Sequence, residues 1–172
     1  MLKIGVGPSS SHTLGPWRAA EAFLKELREK HLLTRTTKVH VNLYGSLSLT
    51  GKGHATDLAV MLGLSGADPE YVPIESLDVI ITAITNNQKL CLGNEQIINF
   101  NPKENIVFNR NFLPFHANGL TFTAEGEDFR YASTFYSVGG GFIVKEGEQA
   151  TSESNIWLKP EEFSAYPFAK PQ

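Results

Sequence analysis

The sequence predicts an α+β fold in which helices pack on one face of a mostly antiparallel sheet. Apolar residues recur at helical spacing through the first half of the 172-residue chain, whereas the second half consists of short alternating segments separated by turn residues. Strands joined this closely pair antiparallel, because a parallel neighbour requires a longer crossover. With 41% hydrophobic and 19% charged residues, the chain can bury one core and fold as one globular unit.

The first elements are an amphipathic helix and a half-buried strand. The helix runs from Pro16 to about His31, and Pro16 suits its first turn because no amide hydrogen is needed there. Its apolar stripe consists of Ala20, Phe23, Leu24 and Leu27. Residues Thr37 to Tyr44 then alternate between apolar and polar side chains, which predicts a strand with one buried face.

Two further helices are expected after a glycine-rich turn that follows this strand. The second helix has Ala55, Leu58, Ala59 and Leu62 on its apolar side. Gly63 stands where a left-handed residue would end that helix. The third helix follows Ser76, and its buried stripe is Leu77, Ile80, Ile81 and Ile84.

The second half predicts four short strands, Gln96 to Phe100, Ile106 to Phe108, Leu120 to Ala124 and Phe129 to Val138. The segments Pro102 to Asn105 and Glu125 to Asp128 are interpreted as hairpin connections. The proline-rich residues 159–172 are expected to form a linker after a domain of residues 1–158. This ending is typical of a domain cut from a longer polypeptide.

Composition excludes several classes of function. The net charge of -3 and the lack of a dense Lys/Arg run argue against a nucleic-acid partner. The single Cys91 can neither form an internal disulfide nor hold an iron–sulfur cluster, which usually needs three or four cysteines. No secretory signal or membrane-spanning stretch is evident, so we expect a cytoplasmic protein without a membrane partner.

The loop before the first helix is the first candidate site. Its polar residues are Ser9, Ser10, Ser11, His12 and Thr13. The free amides and the dipole at a helix start favour an anion such as a carboxylate or phosphate. The alternative is that Ser11 or Thr13 only caps the helix. A Ser-His hydrolase is disfavoured, because the G-x-S-x-G turn that exposes a nucleophile is absent.

Two more polar loops are candidates for binding. Thr50, Lys52 and His54 lie in a glycine-rich loop that fails the phosphate-loop pattern, because Gly53 follows Lys52 where Ser or Thr is required. A basic turn for a carboxylate or a partner domain fits better. His116 and Asn118 lie in a second loop whose neutral polar groups suit recognition of an amino acid. No third ligand has metal-binding spacing, so no metal site is predicted.

The glycines at positions 139–141 interrupt a strand-like run, and we expect a bulge, a sharp bend or a close approach to another group there.

The ordered segments GPSSSHT, GSLSLTGKGHATD, HANGL and FYSVGGGF together resemble the β domain of iron–sulfur-dependent bacterial L-serine dehydratases. The resemblance covers essentially the whole chain. It departs at Ala117, where the family usually has proline, but His116 and Asn118 are kept. The resemblance implies a fold like the allosteric substrate-binding domain of some D-3-phosphoglycerate dehydrogenases.

The same resemblance implies a lyase of serine catabolism and gluconeogenesis that converts L-serine to pyruvate and ammonia. A [4Fe-4S] cluster would be bound by cysteines of a catalytic α domain that this chain lacks, so the chain alone would be inactive. The loops of residues 9–13 and 50–54 would face that domain or the substrate, whereas His116 and Asn118 would hold serine as an effector. A homodimer is expected. The alternative is a purely allosteric amino-acid-binding or dimerisation module.

Overall fold

The computed structural model describes residues 11–51 and 55–147, and within them the predicted α+β class is confirmed. The helices are α1 (Leu14–Glu29), α2 (Gly45–Gly51), α3 (Thr56–Leu64), α4 (Ile74–Asn87) and α5 (Pro102–Asn105), with a 3-10 turn at Leu33–Arg35. The strands are β1 (Lys38–Tyr44), β2 (Lys89–Leu92), β3 (Gln96–Asn99), β4 (Ile106–Asn109), β5 (Gly119–Glu125), β6 (Arg130–Gly139) and β7 (Phe142–Lys145).

The main sheet has five strands in the order β4-β1-β5-β6-β7, and β2 and β3 form a separate two-stranded sheet. The pairs β1–β5, β5–β6 and β6–β7 are antiparallel, whereas β1 and β4 are parallel. The sheet is therefore mostly antiparallel, as predicted. The parallel pair is possible because four helices and the small sheet lie between β1 and β4 and form a long crossover.

The core lies between helix α1 and one face of the main sheet. The predicted stripe of α1 is buried, and the ring of Phe23 stacks on that of Phe122 with centroids 5.2 Å apart. The alternation predicted for β1 is also confirmed, because Val39, Val41 and Leu43 are buried while the polar residues between them are half-buried. One face of the sheet therefore carries the core and the other presents polar side chains.

A buried polar cluster, which the sequence did not single out, lies between the second half of α1 and strands β6 and β7. The Glu26 carboxylate accepts hydrogen bonds from the hydroxyls of Tyr131, at 2.7 Å, and Ser133, at 2.5 Å. The Lys145 ammonium lies 3.0 Å from its other oxygen. Glu26 is only 3% exposed, so this charge is compensated within the fold.

The prediction that Gly63 ends the second helix is wrong. Gly63 lies inside α3, where a Cβ atom would be 2.6 Å from the Trp17 carbonyl oxygen and 2.7 Å from Ala20 Cβ. The glycine is required because α1 and α3 pack so closely there. A left-handed residue does follow the helix, but it is Gly66, with φ +88°.

Two connections also differ from expectation. The glycine-rich turn after β1 begins as helix α2, and Pro102–Asn105 is a helical turn that joins strands of different sheets instead of a hairpin. Asn101 caps this turn by accepting a hydrogen bond from the Lys103 amide at 3.1 Å. The hairpin at Glu125 to Asp128 is confirmed. Strands β2 and β7 were not predicted.

The expected linker at residues 159–172 lies outside the described residues. Within the described part of the chain, no helix combines the length and the apolar character that crossing a bilayer requires.

Candidate functional site

Four segments that are far apart in the sequence meet at one end of the main sheet. They are residues 11–14 at the start of α1, 45–51 in α2, 116–119 before and at the start of β5, and 137–141 at the end of β6 and in the turn to β7. We call this region the convergent edge. Each segment includes part of one of the four motifs identified in the sequence, and hydrogen bonds or close packing connect them.

Backbone contacts fix the start of α1 at this edge. The His12 carbonyl oxygen accepts a hydrogen bond from Thr56 Oγ1 at 2.5 Å, which ties the loop to the first residue of α3. The Thr13 carbonyl accepts the first helical bond from the Trp17 amide at 3.0 Å. Thr13 is buried and occupies the N-cap position, but its side chain makes no capping bond. The prediction of a side-chain cap is therefore wrong for Thr13, and the alternative that Ser11 provides the cap stays a prediction.

The surroundings of His12 favour the neutral form of its imidazole. Burial lowers the pKa of His12 below its usual value, and a hydrogen bond with the Asn118 side chain offsets part of that effect by raising the pKa. A neutral ring offers one donor and one acceptor. His12 can therefore bind a polar group without adding a positive charge to the edge.

The loop of residues 116–118 is anchored to strand β6. The amide of Asn118 donates to His116 Nδ1 at 3.0 Å, and Asn118 Nδ2 donates to the Ser137 carbonyl at 3.1 Å. The Ser137 amide in turn donates to the Asn118 carbonyl at 2.9 Å. Because Nδ1 of His116 accepts a hydrogen bond, the ring hydrogen of the neutral tautomer is on Nε2, which can donate a hydrogen bond to a bound group.

Helix α2 begins directly against this loop. The Ser46 amide donates to the Ala117 carbonyl at 2.9 Å. Gly45 has φ +56°, and a Cβ atom there would lie 2.4 Å from the same carbonyl oxygen. Only glycine fits this position, because both the left-handed backbone and the close approach exclude a side chain.

The glycine turn between β6 and β7 completes the edge. Gly139, Gly140 and Gly141 all have positive φ, and the pairing of β6 with β7 shifts register between Ser137 and Gly139. A Cβ atom on Gly141 would lie 2.6 Å from Leu14 Cδ2. The predicted bend and the predicted close approach both occur, and the approach is to the first residue of α1.

Two buried polar atoms at the edge have no hydrogen-bond partner of normal geometry among the described residues. They are Ser137 Oγ and Asn118 Oδ1. Buried polar atoms nearly always find a partner, so such atoms indicate a place where another group binds. Asn118 belongs to the His116 loop and its side chain contacts His12, and the Ser137 backbone is hydrogen-bonded to Asn118.

The sequence treated the first loop and the His116 loop as separate sites, but the structure brings His12 and Asn118 into contact. Ser11 is half-buried next to them. Ser9, Ser10, Lys52 and His54 lie outside the described residues, and only the backbone of Thr50 is described, as part of α2. The roles assigned to these residues stay predictions.

Sequence reasoning missed a set of exposed apolar side chains around the same edge. We call them the apolar rim, and their exposed fractions range from 41% to 60%. The rim consists of Leu49, Phe112, Phe115 and Phe142. Phe115 also packs against Tyr136 with ring centroids 4.8 Å apart. Large apolar residues in loops that otherwise look polar were the available signal.

The side chains of this chain do not fit an iron–sulfur cluster. The sequence has one cysteine, and Cys91 lies in β2, away from the convergent edge. Within residues 11–51 and 55–147, no three His, Cys, Asp or Glu side chains are grouped so that they could hold a metal ion. A cluster needs several thiolates, and this donor set cannot supply them.

Comparison with known proteins matches the family "Serine dehydratase beta chain" over residues 1–148. L-serine dehydratase of Haemophilus influenzae is 42% identical over 163 residues, which are 93% of this chain and 36% of that protein. L-serine dehydratase TdcG of Escherichia coli is 47% identical over 148 residues, covering 85% of this chain and 33% of the relative. L-serine dehydratase of Streptomyces coelicolor is 45% identical over 150 residues. The chain thus spans about a third of the length of these curated relatives.

Proposed function

Since this chain belongs to the serine dehydratase beta chain family, we propose that it is the regulatory and interface domain of a cytoplasmic L-serine ammonia-lyase, which converts L-serine to pyruvate and ammonia. The observation that carries the proposal is the convergent edge, where four separate segments meet. Buried polar atoms nearly always find a hydrogen-bond partner, and the buried Ser137 Oγ at this edge has none among the described residues, which supports binding of another component here.

The partner at the edge is the catalytic α domain. The relatives are about three times as long as the matched segment, and the apolar rim surrounds the polar centre of the edge. Exposed apolar side chains that cluster on one surface are typical of a site that another protein covers. The catalytic domain would bury Leu49, Phe112, Phe115 and Phe142, and it would supply partners for the polar atoms at their centre.

The [4Fe-4S] cluster of the whole enzyme would be bound by that catalytic domain, because this chain has a single cysteine. The chain therefore contributes binding and positioning. Alone it would be inactive.

L-serine itself fits the chemistry of the convergent edge, as substrate or as effector. The start of the sixteen-residue helix α1 favours a carboxylate, and the Nε2 hydrogen of His116 can donate to it. The neutral His12 ring and the oxygen atoms of Asn118 and Ser137 can accept hydrogen bonds from an ammonium group. Because His12 stays neutral, it does not repel that ammonium group.

A purely allosteric or dimerisation module is the second candidate. An apolar surface on α4, remote in sequence from the convergent edge, favours a homodimer contact. On this alternative the loop of residues 9–13 never approaches the substrate.

Pyruvate formation from L-serine tests the first proposal. We expect no turnover by the chain alone, even after anaerobic iron–sulfur reconstitution. Turnover should appear when the part of the Haemophilus influenzae relative outside the matched segment is added. Pyruvate formation by the isolated chain would contradict the proposal. Equal pyruvate formation by the partner fragment with and without this chain would also contradict it.

Single substitutions in the assembled enzyme locate the roles at the edge. We expect His12→Ala to reduce turnover at saturating serine and His116→Ala to remove activation by serine. His40→Ala is the matched control, because His40 is a half-buried histidine at the other end of β1. If both site variants behave like the control, the edge has only a structural role.

A further inference from the structure

Helix α4 carries more apolar surface than the described residues cover. Half of its fourteen residues are aliphatic, yet Ile84 is the only one that is buried. Val79 is 67% exposed, and Ile74 is also exposed. A helix that is apolar around most of its circumference is normally covered by other protein.

The exposed side of α4 forms one wall of an apolar groove of about 540 Å³. The opposite wall is the β2–β3 hairpin, on which Ile97 is 69% exposed. Half of the lining residues are aliphatic, and they include Ala67, Val72, Val79, Ile80 and Ile97. None of these residues belongs to the convergent edge or to the apolar rim.

The spacing of residues on the groove side of α4 fits a second helix. Ser76, Ile80, Ala83 and Asn87 line the groove at intervals of four, three and four residues. This is the spacing by which one helix presents a continuous seam to another. The small side chains of Ser76 and Ala83 allow a second helix to approach α4 closely. The exposed Val79 and Ile97 also line this groove.

We propose that α4 of a second copy of this chain occupies the groove, with the two α4 helices antiparallel about a two-fold axis near their midpoints. The same patch then serves both copies, as in most homodimers. This surface gives the proposed homodimer its contact, and in that respect it rests on the proposed function. It leaves the convergent edge open for the catalytic domain.

Charge complementarity supports a second copy as the occupant. Glu75 lies in the first turn of α4, and Lys89 follows its last turn at the end of the groove. In an antiparallel pair, Glu75 of each copy lies next to Lys89 of the other. Among the described residues Glu75 makes no ion pair, and the Lys89 ammonium donates only to the neutral side chain of Asn99. Both charges are thus available at the proposed contact.

Sedimentation equilibrium of the full 172-residue chain measures the dimer directly. We expect a concentration-dependent dimer whose dissociation constant rises at least about 100-fold in Val79→Glu and in Ile97→Glu, because each places carboxylates in an apolar contact. Val107→Glu is the matched control, since Val107 is an exposed valine on β4, and it should leave the dimer unchanged. Circular dichroism checks that every variant is folded.

A charge exchange tests the antiparallel arrangement. Glu75→Lys and Lys89→Glu should each weaken the dimer about 10-fold, since a two-fold contact contains the pair twice, and the double variant should restore most of the affinity. No recovery in the double variant would overturn the antiparallel pairing.

Other results would overturn the contact itself. The contact would be overturned if the chain were monomeric at every concentration or if the dimer persisted in Val79→Glu. It would also be overturned if the α4 variants weakened binding of the catalytic domain and left the dimer unchanged. A dimer that behaves as expected while the reconstitution assay fails would overturn the proposed function and support this contact. Restored turnover with a chain that is monomeric would support the proposed function and overturn this contact.

Discussion

Polar groups cluster near both ends of helix α1, and the two clusters differ in whether this chain itself supplies their partners. Near its end, the Glu26 carboxylate is paired with Lys145 and accepts hydrogen bonds from Tyr131 and Ser133. At its start, the convergent edge has a neutral His12 and two buried oxygen atoms without normal partners. The charge of the first cluster is balanced by Lys145 within the chain, whereas Ser137 Oγ in the second has no hydrogen-bond partner among the described residues, as expected of a site that binds another molecule.

The largest effect on stability is expected at the Glu26 cluster. Lys145→Met leaves a buried carboxylate without its counter-charge and should lower the free energy of unfolding by about 3 kcal/mol. Urea unfolding at neutral pH measures this. Arg35→Met is the control, because Arg35 pairs with Asp128 at the surface, and it should cost less than about 0.5 kcal/mol. Equal losses in the two variants would mean that the Glu26 cluster does not hold the fold.

A smaller loss is expected at the convergent edge. Asn118→Ala removes the hydrogen bond to the Ser137 carbonyl and should cost about 1.5 kcal/mol, because it leaves a buried acceptor unpaired. The same variant should lose the response of the assembled enzyme to serine. Asn109→Ala is the control, since its half-buried bond to Asn42 lies on the uncovered sheet face. If serine still acts on Asn118→Ala, the edge is not the effector site.

The two regions also differ in how far the sequence predicts them. The stripe of α1 and the alternation of β1 were predictable, because helical and strand periods are local properties of the sequence. Helix α2 was not, because its glycine- and serine-rich sequence has low helix propensity and its start is set by packing of Gly45 against Ala117. Glu26 was overlooked, although its place beside Phe23 and Leu27 in a buried stripe was a usable signal.

At the convergent edge, the sequence identified the segments but not their arrangement. His12 and Asn118 were both named, yet no local pattern connects residues that lie in different halves of the chain. Their contact depends on the order of strands in the sheet. The same reason explains why the parallel pairing of β1 with β4 was not predicted.

Glu21 lies between the two regions on α1 and provides an intermediate test. Burial, with help from Asp68, raises the pKa of Glu21 to about 7, although Arg18 lies 3.6 Å away. The folded state therefore binds this proton more tightly than the unfolded chain, so stability should fall as the pH rises from about 4.5 to about 7. After allowance for solvent screening, the fall should be about 1 kcal/mol.

Glu21→Gln should remove this fall, so that the variant is more stable than the parent above pH 7. The measurement is urea unfolding over a pH series. Glu127→Gln, at an exposed site between β5 and β6, serves as the control and should leave the profile unchanged. Parallel profiles for Glu21→Gln and the parent would show that the carboxyl is not destabilised by burial.

The smallest effect on stability is expected at His12, and its sign is opposite. Burial lowers the pKa of His12 in the folded state, so the unfolded chain takes up a proton first as the pH falls below about 6.5. The parent should therefore lose stability on acidification through this range, and His12→Gln should lose less. His31→Gln, at an exposed position after α1, is the control. If His12→Gln and the parent lose stability equally on acidification, the fold does not lower the pKa of His12. The convergent edge would then lack the neutral histidine that distinguishes it from the charged Glu26 cluster.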